Sequence, residues 1–132
     1  MNIGFLHSLI RKEEKLLIDE FRQRGVEPIF LDDRQLVFDL ETRPNVDLVL
    51  ERCINHSRAV HGMRLLEGIG IPCINTSKVA SICGDKILCS LALKEAGVPQ
   101  PALRIAFTEE SALAAIEELG YPVVLKPAVG SW

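Results

Sequence analysis

Apolar and polar positions divide the chain into short apolar runs and longer amphipathic stretches. Asn2–His7 (NIGFLH) predicts a short buried strand. Across Ile10–Arg24 the charged residues are interrupted by Ile10, Leu17 and Phe21, a single apolar helix stripe, and Gly25 supplies a natural stop. Glu27–Leu31 and Gln35–Leu40 predict strands joined by a turn at Asp32-Asp33. After the break at Arg43-Pro44-Asn45, Val46–Glu51 (VDLVLE) predicts a central strand. Ser57 is expected to cap a helix carrying Val60, Met63, Leu66 and Ile69, which Gly70 ends. Ile71–Asn75 (IPCIN) predicts another strand. Thr76 or Ser77 then opens a helix through Ile82, and Asp85 opens one ending near Gly97.

Strands separated by helices imply a parallel sheet built from right-handed crossovers. The expected fold class is therefore α/β, an open parallel sheet flanked by helices. Only Gly4 lies where a G-x-G-x-x-G turn would follow the first strand, so a dinucleotide-binding site has little support. Near Gly84 the pattern changes. Val98-Pro99-Gln100-Pro101 disfavours helix, because the residue before each proline is pushed to extended geometry. Ala102–Phe107 predicts a strand, and Thr108 caps a helix from Glu109 to Leu119 with acids in its first turn. Gly120 stops that helix, Tyr121–Lys126 (YPVVLK) predicts a strand, and a loop begins at Pro127. Two domains are expected, 1–83 and 84–132. The second carries too little structure after residue 101 to bury both faces of a sheet, so it is expected to pack on the first or to be truncated.

Composition narrows the classes. Of 132 residues, 48% are hydrophobic and 25% charged, enough for a buried core and against global disorder. Fifteen basic against eighteen acidic residues give a net charge of -3, so nucleic acid is not an expected partner. No apolar run approaches the roughly 20 residues that span a membrane. The first residues place their charges after the apolar stretch, the reverse of a signal peptide. A soluble cytoplasmic protein is expected. The four cysteines, Cys53, Cys73, Cys83 and Cys89, fall inside elements and read as free thiols. Cys53-x-x-His56 with His61 lacks a second ligand pair, so zinc is not expected. His7, His56 and His61 have no carboxylate or serine at triad spacing and read as ordinary polar positions.

Three motifs occur in order: Gly70-Ile71-Pro72-Cys73-Ile74-Asn75; Gly84-Asp85-Lys86 leading to Gly97-Val98-Pro99-Gln100-Pro101; and Val123-Val124-Leu125-Lys126-Pro127 followed by Gly130-Ser131-Trp132. This order resembles the front half of an ATP-grasp ligase, a small pre-ATP-grasp α/β domain followed by the beginning of an ATP-grasp domain. Glu51-Arg52-Cys53 with Ser57-Arg58, together with K-P-x-x-G-S-W, looks like the RimK-like branch, and within it the LysX group.

The resemblance implies ATP and Mg²⁺ as cofactors and binding of ATP phosphates by Lys86, Lys126, Gly130, Ser131 and Trp132. A compact ammonium answers a phosphate as a point charge, and glycine lets backbone N–H groups approach an anion closely. Lys86 sits in the first turn of its helix, where a cation opposes the dipole, a local conflict that itself points to a ligand. Arg52 and Arg58 flank the carboxyl end of the central strand, where open α/β sheets gather ligands, and can pair with a substrate carboxylate. Surface charge is the competing reading for Arg58, as helix capping is for Ser57. The family's Mg²⁺ ligands, adenine-contact strand and acceptor-binding residues lie downstream, so no catalytic residue or metal ligand is assigned in this chain.

The implied activity is ATP-dependent ligation of a carboxylate to an amine through an acyl phosphate. In the LysX group an amino acid, α-aminoadipate or glutamate, is joined to the C-terminal glutamate of an amino-group carrier protein, in lysine or arginine biosynthesis. A RimK-type relative would instead add glutamate to a ribosomal protein, and the residues present do not choose among these. The implied partners are the carrier protein and the amino acid, with a homo-oligomer expected and neither membrane nor nucleic acid. A reading from another class is a half-protein that catalyses nothing and binds a partner chain through exposed sheet edges around residues 102–126.

Overall fold

The computed structural model describes residues 1–130, and the expected phosphate-loop residues Ser131 and Trp132 lie outside them. The chain divides into two units, Met1–Ser81 and Ile82–Trp132. The first contains four parallel strands, β1 (Ile3–His7), β2 (Ile29–Asp32), β3 (Leu48–Arg52) and β4 (Cys73–Ile74), in the spatial order β2-β1-β3-β4. Helix α1 (Lys12–Gln23) lies between β1 and β2, α2 (His56–Gly68) lies between β3 and β4, the connection from β2 to β3 carries no helix, and α3 (Ser77–Cys83) follows β4. This is the expected α/β architecture with a parallel sheet.

All five residues of β1 are buried. Their side chains alternate between the two faces of the sheet. Phe5 meets Phe21 of α1 edge-on at 6.4 Å and Phe30 of β2 at 6.0 Å. Leu6, on the opposite face, joins Val46, Val49, Ala59, Met63, Leu66, Ile71 and Cys73 in the main core. The helices α1 and α2 therefore cover opposite faces. Gly4 is required by close approach: a Cβ there would stand 3.0 Å from both Leu31 Cδ1 and Val49 Cγ2.

Two expectations in this unit need correction. Gln35–Leu40 is no strand. The amides of Gln35 and Leu36 both donate to the Asp32 carbonyl at 3.0 Å, which turns the chain away from β2. The alternation there is real, because Leu36 and Phe38 pack against the core while Val37 is 91% exposed, but it belongs to a loop. The cap of α2 is Asn55, not Ser57: its side chain accepts from the Arg58 amide at 2.9 Å. Ser57 lies inside the first turn, with Oγ 3.3 Å from His61 Nδ1.

The second unit holds α4 (Lys86–Glu95) and α5 (Glu109–Leu119). Asp85 caps α4 through Ile87 N at 2.8 Å and Leu88 N at 3.1 Å, and Thr108 caps α5 through Ser111 N at 3.2 Å. The strands expected at Ala102–Phe107 and Tyr121–Lys126 are not formed. A strand is defined by its pairing, and these segments have no strand alongside them among the described residues. The sheet edges expected around 102–126 are therefore absent too. Ile116 is the one buried hydrophobic residue among the described residues of this unit. No helix among the described residues is long and apolar enough to cross a membrane.

Met63 is fully buried in the main core, so Met63→Ala is expected to cost about 2–5 kcal/mol in urea denaturation. Val37→Ser should leave the midpoint within about 0.5 kcal/mol. A costly Val37→Ser would restore the strand that the loop replaces.

Candidate functional site

In the second unit, the sequence brings Lys86 and Gly130 together. Asp85 is extended just before α4 and forms an isolated antiparallel bridge with Val129. The Lys86 amide donates to the Ala128 carbonyl at 2.8 Å, and its Nζ donates to the Gly130 carbonyl at 2.7 Å. Gly130 has φ +91°, a conformation that favours glycine. The segment after Lys126-Pro127 is thus tied to the N-terminus of α4. Lys126 itself is solvent-exposed. The contacts among the described residues join Lys86, and not Lys126, to the glycine turn. Among the described residues no group of three His, Cys, Asp or Glu side chains is placed to hold a metal ion.

In the first unit, the carboxyl ends of β1, β2 and β3 carry a dense polar cluster. Ser8 Oγ donates to Asp33 Oδ2 at 3.0 Å and accepts from the Ile54 amide at 3.0 Å. Arg58 Nε lies 3.4 Å from the same Asp33 oxygen. Arg34 holds Asp32 at 2.9 and 2.6 Å, which keeps that carboxyl well below its ordinary range. Arg52 turns toward α1, where its Nε and Nη2 donate to Glu14 Oε1 at 3.1 and 2.9 Å. Arg11 grips the same carboxylate with its own Nε and Nη2, both at 2.9 Å.

Glu14 is fully buried. Its carboxyl is lowered to about 2, first by the Arg11 hydrogen bond and further by Arg52, against the opposing effect of burial. A buried carboxylate is tolerated when it is paired and hydrogen-bonded. Both arginines remain partly open to solvent, with side chains 46% and 35% exposed. At the carboxyl ends of β1 and β2 lies a cavity of about 560 Å³ lined by His7, Ile10, Phe30, Asp32, Gln35 and Leu36, and neither arginine lines it. His7 Nδ1 and Asp33 Oδ1 are buried without a hydrogen-bond partner.

The expected Arg52 and Arg58 thus belong to the polar cluster, each in an ion pair. Sequence reasoning missed Arg11, Glu14 and His7. Arg11 and Glu14 looked like the start of a charged helix; a glutamate three residues after an N-cap position was the available signal. His7 carried no signal beyond its place at the end of an apolar strand. Among the thiols, burial pushes Cys73 up to about 12 and Cys53 higher, which makes both poor nucleophiles.

Because the folded-state pKa of Glu14 lies below its ordinary value of 4.5, its contribution to stability is present above pH 4.5. It is lost as pH falls toward about 2. Glu14→Gln is expected to cost about 2 kcal/mol at neutral pH and to flatten the acid limb between those values. Urea midpoints across the range check this; an unchanged acid limb would remove Glu14 as its source.

Comparison with known proteins agrees with this architecture. The family described as the LysX preATP-grasp domain matches residues 3–82. The α-aminoadipate–LysW ligase LysX of Sulfurisphaera tokodaii is 36% identical over the whole chain, which covers 48% of that protein. The glutamate–LysW ligase ArgX of the same organism is 34% identical, again over the whole chain and 47% of the relative. A crystal structure of a RimK domain ATP-grasp protein from Sphaerobacter thermophilus superposes with a TM-score of 0.83 at 29% identity, covering 99% of this chain and 50% of that one. The chain spans about half the length of the curated relatives it matches. On the family match and the four-stranded parallel sheet together, the chain belongs to the LysX preATP-grasp domain family.

Proposed function

We propose that this chain is the N-terminal part of an ATP-dependent ligase joining α-aminoadipate or glutamate to the C-terminal glutamate of a LysW-type carrier protein. The observation that carries the reading is similarity along the whole chain to two ligases named for that carrier. Residues 1–83 are read as the pre-ATP-grasp domain and 84–132 as the start of an ATP-grasp domain. ATP would supply its γ-phosphoryl group to a carboxylate, releasing ADP and leaving an acyl phosphate, from which the amine would displace phosphate and lose a proton to give an amide.

The residues of this chain do the positioning and charge neutralisation. Lys86 and Lys126 would bind phosphate oxygens, with Gly130, Ser131 and Trp132 forming the loop beside them. The tie between Lys86 and Gly130 supports that role, since it already joins one cation to the loop. Arg52 would receive a substrate carboxylate. Both arginines are already in ion pairs, and Arg58 is read as the weaker candidate because Arg52 shares its carboxylate with Arg11, whereas Arg58 pairs with Asp33 on its own.

Joined to the C-terminal half of the Sulfurisphaera tokodaii LysX, the chain should support ligation that requires ATP, carrier and amino acid together. In that chimera Lys126→Ala should raise the KM for ATP about tenfold or more, the scale of one lost charge-assisted hydrogen bond. An unchanged KM and kcat would take Lys126 out of the phosphate site. The 132-residue chain alone should bind ATP weakly in calorimetry, and tight stoichiometric binding would overturn that expectation.

A further inference from the structure

The carboxyl ends of β1 and β2 frame the cavity of about 560 Å³. The register places His7 of β1 opposite Asp32 of β2, and Phe5 opposite Phe30. Residues two apart on a strand share a face, so these four side chains lie on the α1 side of the sheet, where Phe5 meets Phe21. Ile10 closes the cavity from the segment before α1. Gln35 and Leu36 close it from the turn after β2, where both of their amides hold the Asp32 carbonyl. The volume is that of an ordinary small-molecule site, which pairs an apolar wall with a few convergent polar groups.

Charge decides what the cavity excludes. Apart from His7, Asp32 is the one titratable residue on its wall. Two guanidinium N–H groups and the backbone amide of Arg34 already occupy that carboxylate, so a cation finds no open counter-charge. No arginine or lysine lines the cavity, so an anion finds no cation and meets the Asp32 carboxylate instead. An uncharged ligand remains. Two side chains set its polar contacts. His7 is 7% exposed, and its Nδ1 is buried without a partner. Buried polar atoms are ordinarily satisfied, so an orphan on a cavity wall marks a place for a ligand. The other buried orphan, Asp33 Oδ1, lies off that wall. An imidazole nitrogen donates or accepts according to tautomer, and the Gln35 amide does both. The rest of the wall is apolar: Ile10, Leu36 and the ring of Phe30, which is 43% exposed. An open aromatic ring beside a donor and an acceptor suits a flat ligand with a polar edge.

We propose that this cavity binds a free, uncharged heteroaromatic ring of the nucleobase class. The ring stacks on Phe30, with Ile10 and Leu36 beside it. Its edge, carrying a donor next to an acceptor, pairs with Gln35 and with His7 Nδ1. A glutamine amide makes such a two-bond pair with the N6 and N7 edge of adenine. A phosphate attached to the ring would gain no cation here. All of these residues lie in the first unit, and the inference stands apart from the ligase reading.

The test uses the 132-residue chain labelled with ¹⁵N. The His7 ring nitrogens and Phe30 ring protons are followed by NMR while adenine, AMP or propionamide is added. Adenine should move both sets of signals saturably and leave the Lys86 and Gly130 amides in place. Propionamide carries the polar edge without the ring and should bind about tenfold more weakly, the scale of one lost stacking contact. AMP should also bind at His7 more weakly than adenine, because its phosphate adds an anion. Gln35→Ala removes an exposed side chain and keeps the backbone amide on Asp32, so the fold should persist while adenine affinity falls about tenfold. Phe30→Leu keeps an apolar wall and should lower that affinity by a similar factor. Unmoved His7 and Phe30 signals at the solubility limit of adenine would overturn the site. Propionamide or AMP binding there as tightly as adenine would overturn the uncharged ring as its ligand, and so would an adenine affinity unchanged by Gln35→Ala.

Discussion

Burial of β1 on both faces is the constraint from which the first unit follows. A strand with no exposed residue must have a neighbour on each side and a helix on each face. Phe5 and Leu6 point opposite ways, and each selects its own helix. Gly4 lets Leu31 and Val49 close over the strand without a Cβ between them. The same burial continues past the last apolar residue, so that His7 and Ser8 leave the sheet in a dry environment. Polar groups in such a place need partners. Ser8 finds Asp33 and the Ile54 amide, and by doing so ties the ends of all three neighbouring strands. His7 Nδ1 finds none. The site is thus a consequence of how far the dry region reaches.

Glu14 solves a related problem from the helix side. A fully buried carboxylate is costly unless its oxygens are satisfied, and two guanidinium groups satisfy them here. One comes from its own helix start and the other from the end of β3, so the cluster joins α1 to the sheet. Geometry then does more than stabilise. Each arginine uses Nε and Nη2 on Glu14, so both guanidinium groups are held at fixed angles. Ordering two long side chains in advance removes an entropy cost that a binding partner would otherwise meet.

The legible parts of the sequence were those with one dominant physical cause. The strands near Asn2–His7 and Val46–Glu51 read correctly because apolar runs flanked by turn residues have few other uses. The stripe Val60, Met63, Leu66 read correctly because a helix packed on a sheet buries one face. Gln35–Leu40 failed because alternation reports which side chains face the core, not whether the backbone pairs. The cap of α2 failed because Asn55 and Ser57 are both good caps, and only the extended backbone at Asn55 decides between them. Glu14 and Arg52 are 38 residues apart, and no local pattern couples them. Lys86 and Gly130 lie 44 residues apart and were paired only through an ordered set of motifs, never through periodicity.

The second unit shows what a local motif achieves without a surrounding core. Its caps are complete: Asp85 and Thr108 satisfy the first amides of their helices. Its apolar segments are not satisfied, with Leu103, Ile105, Phe107, Val124 and Leu125 all exposed. Helix ends are fixed by contacts within a few residues, whereas strands need a neighbour to define them. Lys86 falls between these cases. Its ammonium opposes the dipole of α4, and a neutral carbonyl, that of Gly130, answers it. A phosphate oxygen is a stronger acceptor for an ammonium than a peptide carbonyl is. On the proposed reading, an arriving nucleotide competes for Nζ with the loop's own carbonyl while the Ala128 tie holds the loop to the helix. The loop is therefore already beside the phosphates when Nζ exchanges partners, and the backbone pairing at Asp85 and Val129 need not break for the exchange to occur.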